Sequence, residues 1–219
     1  MRIHIKIFLY LIVLIGFKFA NAGSYDDFFV AIKQDNAGAV RTLLQRGFDP
    51  NTADPKGRPG LYLALSEPSL KVAQVLIDWP KTNVEARNLS DESPLMMAAL
   101  NGQLDMAQKL ISRDADVNKT GWTPLHYAAT HGHLDVMRLL LDNYAYIDAE
   151  SPNKTTPLMM AASYGTPEAV KLLLEAGADP SLKNVQGLNA IDFAQRASRT
   201  DVAQLIAGFV RSQQPKGHW

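Results

Sequence analysis

Gly121-Trp122-Thr123-Pro124-Leu125-His126-Tyr127-Ala128-Ala129-Thr130-His131-Gly132-His133-Leu134-Asp135-Val136-Met137-Arg138-Leu139-Leu140-Leu141 reads as two helices joined by a tight turn. Thr123 suits a helix N-cap, where its hydroxyl can accept from an orphan amide. Pro124 suits the first helical turn, where its missing N–H costs no hydrogen bond. Leu125 and the small pair Ala128-Ala129 let this first helix lie close against neighbours. Gly132 permits a sharp turn, and Val136, Met137, Leu140 and Leu141 then repeat with a helical period on a second helix.

The same grammar returns along the chain. It is clear in Ser93-Pro94-Leu95-Met96-Met97-Ala98-Ala99 with Gly102. It is equally clear in Thr156-Pro157-Leu158-Met159-Met160-Ala161-Ala162 with Gly165, followed by Leu172-Leu173-Leu174 and Gly177-Ala178-Asp179. Weaker copies stand at Phe28-Phe29-Val30-Ala31-Ile32, Pro59-Gly60-Leu61-Tyr62-Leu63-Ala64 and Asn189-Ala190-Ile191-Asp192-Phe193-Ala194. Aligned on Ala31, Ala64, Ala98, Ala128, Ala161 and Ala194, the units recur at intervals of 33, 34, 30, 33 and 33 residues. This gives six repeats: 24–56, 57–90, 91–120, 121–153, 154–186 and 187–210. The outer two are degraded, as expected of units that expose one face to water. Residues 211–219, polar and containing Pro215 and Gly217, read as a flexible C-terminal tail.

With a period near 33 and the run Thr-Pro-Leu-His-x-Ala, residues 24–210 resemble an ankyrin-repeat domain. The resemblance implies an all-α repeat solenoid of stacked helix-turn-helix units with β-hairpin fingers. It also implies a non-catalytic protein–protein interaction module whose partner lies along the finger tips and first helices. On that pattern the partner-binding residues are Arg58, Glu67, Glu92, Asn101, Trp122, Thr130, His131, Thr155, Tyr164 and Arg196, joined by Ser66, Leu100, Ser163 and Leu188. Trp122 and Tyr164 are the anchors, because large aromatics dominate interface hot spots. The motif histidine, matched at His126 only, ties neighbouring loops in the family.

Three departures matter. Met96, Met159 and Asp192 replace the motif histidine, which puts the loop-to-loop bond in question there. The interval of 30 compresses the finger at Asn118-Lys119-Thr120-Gly121 and leaves Trp122 either at an open notch or packed on the adjacent finger. Asp114 and Tyr144 stand where Gly47 and Gly177 supply a helix-ending glycine, so those C-caps should be less favourable.

The N-terminus carries a separate signal. Met-Arg-Ile-His-Ile-Lys is followed by an apolar run from Ile7 to Phe17 and by Ala20-Asn21-Ala22, the pattern of a secretory signal peptide over 1–22. An uncleaved anchor is the alternative, although Lys18 ends the run short of the roughly 18 residues that span hydrocarbon. The whole chain has 22 basic and 22 acidic side chains. Removal of Arg2, Lys6 and Lys18 with the leader leaves a balance of −3 and no cationic footprint for nucleic acid. No polybasic stretch favours anionic lipid. The absence of cysteine excludes disulfides and thiolate chemistry and fits an exported protein of the bacterial periplasm.

No catalytic, cofactor or metal site is expected. His126, His131 and His133 are spaced five and two apart, whereas helical metal pairs prefer three or four. Met96-Met97 and Met159-Met160 suit core filling better than soft-metal binding. The expected role is therefore a monomeric periplasmic adaptor or inhibitor of one protein. By family resemblance that partner is a stress enzyme such as a catalase or a toxin. A secreted effector, or an enzyme with an unrecognised site, is the alternative. Ala20 and Ala22 are the small residues signal peptidase requires, so the mature chain is predicted to begin at Gly23. Intact-mass measurement of exported protein checks this, and a membrane-retained chain keeping Met1 to Ala22 would show an anchor instead.

Overall fold

A computed structural model describes residues 23–213. The leader lies outside them. The chain divides into two compact units between Leu89 and Ser90. Among the described residues every named element is a helix, and none is long and apolar enough to cross a membrane.

The first unit holds α1 (23–33), α2 (Ala37–Gln45), α3 (Gly60–Ser66) and α4 (Leu70–Asp78). Its core is Phe28, Ile32, Leu61, Leu65, Leu76 and Ile77. The Phe28 ring also meets Phe29 and Phe48 at centroid distances of 5.2 and 4.8 Å. This aromatic cluster explains the divergent Pro59-Gly60: a Cβ on Gly60 would sit 2.6 Å from Phe28 Cε1. Asp35 then links the two helix pairs, its Oδ1 accepting from the amide of Val72 at 2.9 Å.

The second unit holds α5 (Pro94–Leu100), α6 (Leu104–Ile111), α7 (Pro124–His131), α8 (Leu134–Asp142), α9 (Pro157–Tyr164), α10 (Pro167–Glu175), α11 (Ala190–Arg196) and α12 (Thr200–Gln213). The first helices α5, α7, α9 and α11 stack in chain order, and the second helices α6, α8, α10 and α12 do the same. Pro94, Pro124 and Pro157 each open a helix, as the sequence predicts. The paired alanines 98–99, 128–129 and 161–162 are fully buried. The twelve helices of the described residues thus fall into six successive pairs, α1–α2 to α11–α12. Helix α12 runs to Gln213, three residues into the segment read as a tail.

Two turn details follow from the residue types. Gly132 ends α7 in the left-handed region at φ 68°, as expected. Gly165 does not share that role, for its backbone is extended at φ −76° and ψ −162°. Glycine stands there because an added Cβ would run into the carbonyl oxygen of Ala129; it lets α9 approach α7. Asp114 and Tyr144 do adopt positive φ, 62° and 63°, a conformation that costs a non-glycine residue on the order of 1–2 kcal/mol.

The fingers are tight turns, not ladders of strand pairing. The bond from Asp54 N to Arg58 O closes one at 2.9 Å, Ser151 N to Thr155 O another at 3.0 Å, and Asn184 N to Leu188 O a third at 3.0 Å. A single isolated bridge joins Ala53 and Pro59 among the described residues. The compressed finger is held by a side chain. Lys119, only 6% exposed, pairs with Asp91 and donates to the carbonyl of Thr120 at 3.0 Å. At the opposite loops, Asn118 brackets the next repeat, donating from Nδ2 to Tyr144 O at 2.8 Å and accepting from Tyr146 N at 2.7 Å. Asn51 makes the same bracket with Lys81 and Asn83.

Leu140 has no exposed surface and lies between helix pairs of the second unit. Leu140→Ala is predicted to cost about 2–5 kcal/mol, the range for a buried leucine. A denaturant midpoint equal to that of the unaltered protein would contradict this packing.

Candidate functional site

In the second unit, finger turns and first helices enclose an open groove of about 600 Å³. Its fingers supply Trp122, Asn153, Thr155, Asn184, Gln186 and Leu188, and α9 and α11 supply Met160, Ser163, Tyr164, Phe193 and Arg196. Two asparagine turns shape the rim. Asn184 Oδ1 accepts from the amides of Gln186 (2.9 Å) and Leu188 (3.1 Å). Asn153 Oδ1 accepts from the Ser151 hydroxyl and from the amide of Thr155 at 3.2 Å. Such side-chain turns are a standard way for Asn to organise a loop.

His126 anchors this finger set. Its Nδ1 accepts from the amide of Thr123 at 3.1 Å and lies 2.9 Å from the Thr123 hydroxyl. Its Nε2 is 2.8 Å from the carbonyl oxygen of Thr155 in the next finger. A carbonyl only accepts, so Nε2 carries the proton and the ring is neutral. The predicted loop-to-loop tie is thus present, and Thr123, its hydroxyl also facing the imidazole, forms a capping box with His126 at the start of α7. At Met96, Met159 and Asp192 only the local half survives. The sulfurs accept from Ser93 N (3.2 Å) and Thr156 N (3.4 Å), and Asp192 Oδ2 accepts from Asn189 N (2.9 Å). Neither a thioether nor a carboxylate can donate to the next finger.

The expected binding residues fall into three groups. Trp122, Thr155, Tyr164 and Arg196, with Ser163 and Leu188, come together in the groove. Trp122 is half-buried: its ring packs edge-on against His126 at 5.1 Å while also lining the groove. Tyr164 is 68% exposed. Arg58 and Glu67 lie in a smaller depression of about 220 Å³ in the first unit. There Arg58 is occupied by Asp54, with Nη2 2.7 Å from Oδ2. Burial would raise the Asp54 pKa, but hydrogen bonds from Arg58 and Lys56 hold it below its ordinary value.

Glu92, Asn101, Thr130 and His131 line neither. Glu92 accepts from the Tyr127 hydroxyl at 3.0 Å, and Thr130 bonds back to the carbonyl of His126 at 2.8 Å. Asn101 ends α5. His131 is exposed and stacks on His133 at 5.8 Å, whose Nε2 lies 2.9 Å from the Leu100 carbonyl oxygen. Sequence reasoning missed Asn153, Met160, Asn184, Gln186 and Phe193. An Asn one residue before the positive-φ Lys154 and another three residues before the positive-φ Gly187 were the available signal for the asparagines.

Comparison with known proteins agrees with this architecture. The family model described as ankyrin repeats (3 copies) matches residues 28–120 and 61–153, and that described as ankyrin repeats (many copies) matches 145–194. The chain belongs to the ankyrin-repeat family, whose members are typically non-catalytic protein-binding domains. Among curated relatives it is 33% identical over 135 residues to neurogenic locus notch homolog protein 1 of Homo sapiens, covering 60% of this chain and 5% of that protein. It is 31% identical over 166 residues to the nuclear factor NF-kappa-B p105 subunit of Gallus gallus, covering 73% and 17%. The chain therefore spans only a small part of these relatives. Two solved structures match most of it. The ankyrin repeat protein EF0377 gives a TM-score of 0.72 at 27% identity, covering 83% of this chain and 96% of that one. A chain in the complex of the Bd0816 predatory endopeptidase from Bdellovibrio bacteriovorus with immunity protein Bd3460 gives 0.73 at 29% identity, covering 83% and 97%.

Burial pushes the His126 pKa from its ordinary 6.5 down to about 4, only partly opposed by the carbonyls of Thr155 and Ala149. Between those values the unfolded chain protonates this imidazole and the folded chain does not. Stability is therefore highest above pH 6.5 and declines on acidification toward pH 4, by at most about 3 kcal/mol from this residue. His126→Gln should narrow the difference between urea midpoints at pH 7 and pH 4.5. An unchanged difference would show that the ring is not buried neutral.

Proposed function

We propose that this protein is an exported, periplasmic binding protein that inhibits or escorts one protein partner, held against the groove of the second unit. The observation that carries this reading is the groove itself, with Trp122 fixed on one side by His126 and open on the other. A partner needs pre-organised aromatic surface to recover the entropy lost on docking, and a tryptophan already packed on one face supplies it cheaply. Met160 adds a pliable apolar floor, and Tyr164 a second aromatic at the rim. Likeness to a chain of an endopeptidase–immunity protein complex supports the inhibitor form of the role over the adaptor form. On this reading the protein acts by steric occlusion and contributes no reacting group. The leader, with its small-residue cleavage site, supports the periplasmic assignment.

The test pairs Trp122→Ala with Tyr164→Ala and measures partner capture from a periplasmic extract alongside thermal unfolding. Loss of capture with little change in unfolding temperature is expected for Tyr164→Ala, whose side chain is mostly exposed. Trp122→Ala should lose capture and shift unfolding modestly. Full capture by both variants would move the binding surface away from the groove.

A further inference from the structure

We infer that the groove of the second unit recognises an extended acidic segment of its protein partner, an inference that rests on the groove reading above. The argument is one of donors and acceptors. The asparagine turns fix which way each amide points, because Oδ1 of Asn153 and Oδ1 of Asn184 are both consumed by N–H or O–H donors of their own turns. Their Nδ2 groups therefore face outward and have no hydrogen-bond partner among the described residues. Asn184 is the sharper case. It is only 7% exposed, yet its amide nitrogen is not among the sealed, unpartnered atoms, so it opens on the groove that it lines.

The remaining polar groups have the same sign. The Trp122 indole N–H has no partner among the described residues. Gln186 turns its Oε1 toward Arg196, a contact of 3.4 Å, which leaves its amide nitrogen free and the guanidinium largely unspent. No carboxylate lines the groove. A site that offers N–H donors and one cation, with its side-chain amide oxygens already used, is complementary to carbonyl and carboxylate oxygens. The flanking Tyr164 and Trp122 accommodate apolar residues on either side of such a group. A single arginine without clustered basic residues is a poor match for a phosphate backbone, so the occupant is assigned as polypeptide.

Three capped hexapeptides that alternate leucine with glutamate, glutamine or lysine test this by NMR titration of the protein. The glutamate peptide should shift the Trp122 indole and the Asn153 and Asn184 side-chain amide resonances. It should bind about tenfold more tightly than the glutamine peptide, and Arg196→Gln should remove about that factor. Arg196 is exposed, so its replacement leaves the fold intact, as an unchanged spectrum elsewhere would verify. Equal binding of the glutamine peptide, preference for the lysine peptide, silence of the groove resonances, or displacement by single-stranded oligothymidine would each overturn the inference. Silence here together with loss of partner capture by Trp122→Ala and Tyr164→Ala would reject the acidic segment and keep the groove. Normal capture by both variants would reject the groove itself.

Discussion

The close approach of successive first helices is the constraint on which the second unit depends. A helix of seven or eight residues is too short to be stable alone and too narrow to bury its own apolar face. It gains stability only where its neighbour comes near enough to exclude water. The alanine pairs permit that distance, and Gly165 extends it to direct contact with the backbone of Ala129. Larger side chains fill the remaining space from both layers: Leu95, Leu125 and Leu158 on the first helices and Leu110, Leu140 and Leu173 on the second have no exposed surface. The residues that line the groove occupy what is left: finger turns and first-helix positions that the packing leaves open.

Loop chemistry determines how firmly those fingers are held, and it is uneven along the unit. His126 has both a local and a distant partner, so it couples two fingers. Methionine at 96 and 159 keeps the N-terminal turn of its helix in order but cannot reach across. The compressed finger finds another solution, with the Lys119 ammonium buried against Asp91 of the preceding finger. Asp148 shows the opposite substitution. It occupies the place that Asn51 and Asn118 hold in other units, accepts from the amide of Asp179, and has no donor to return. Burial and the nearby Asp179 carboxylate raise its pKa despite that hydrogen bond.

The helix pairs were legible in the sequence because their signal is local and repeated. Pro at the first helical position, paired alanines and a second apolar stripe recur at one period, and each residue type acts within its own turn. Lys119 was not legible. A lysine in a polar loop is ordinarily solvated, and its burial depends on a carboxylate 28 residues away. Arg199 was hidden for the same reason: it sits after α11 and donates to the carbonyls of Ala161 and Ala162 at the end of α9. For the candidate groove, the repeat period marks finger tips and helix ends along the chain but does not say which of them converge. Met160 was read as core with its neighbour Met159. Only the helix rotation separates them, burying Met159 and turning Met160 to the groove.

That convergence also explains why the groove lies where it does. The tie from His126 to Thr155 joins the Trp122 finger to the next one, and the tryptophan packs against that histidine. The turns at Asn153 and Asn184 spend their oxygens on their own amides and hold their nitrogens outward. At position 96 the methionine cannot make that tie; Lys119 and Asp91 join this finger to the next instead, and Glu92 accepts from the hydroxyl of Tyr127. The link between the fingers that line the groove thus comes from one histidine retained among substituted positions. Its donor-rich character follows from two asparagines whose orientation their own loops impose.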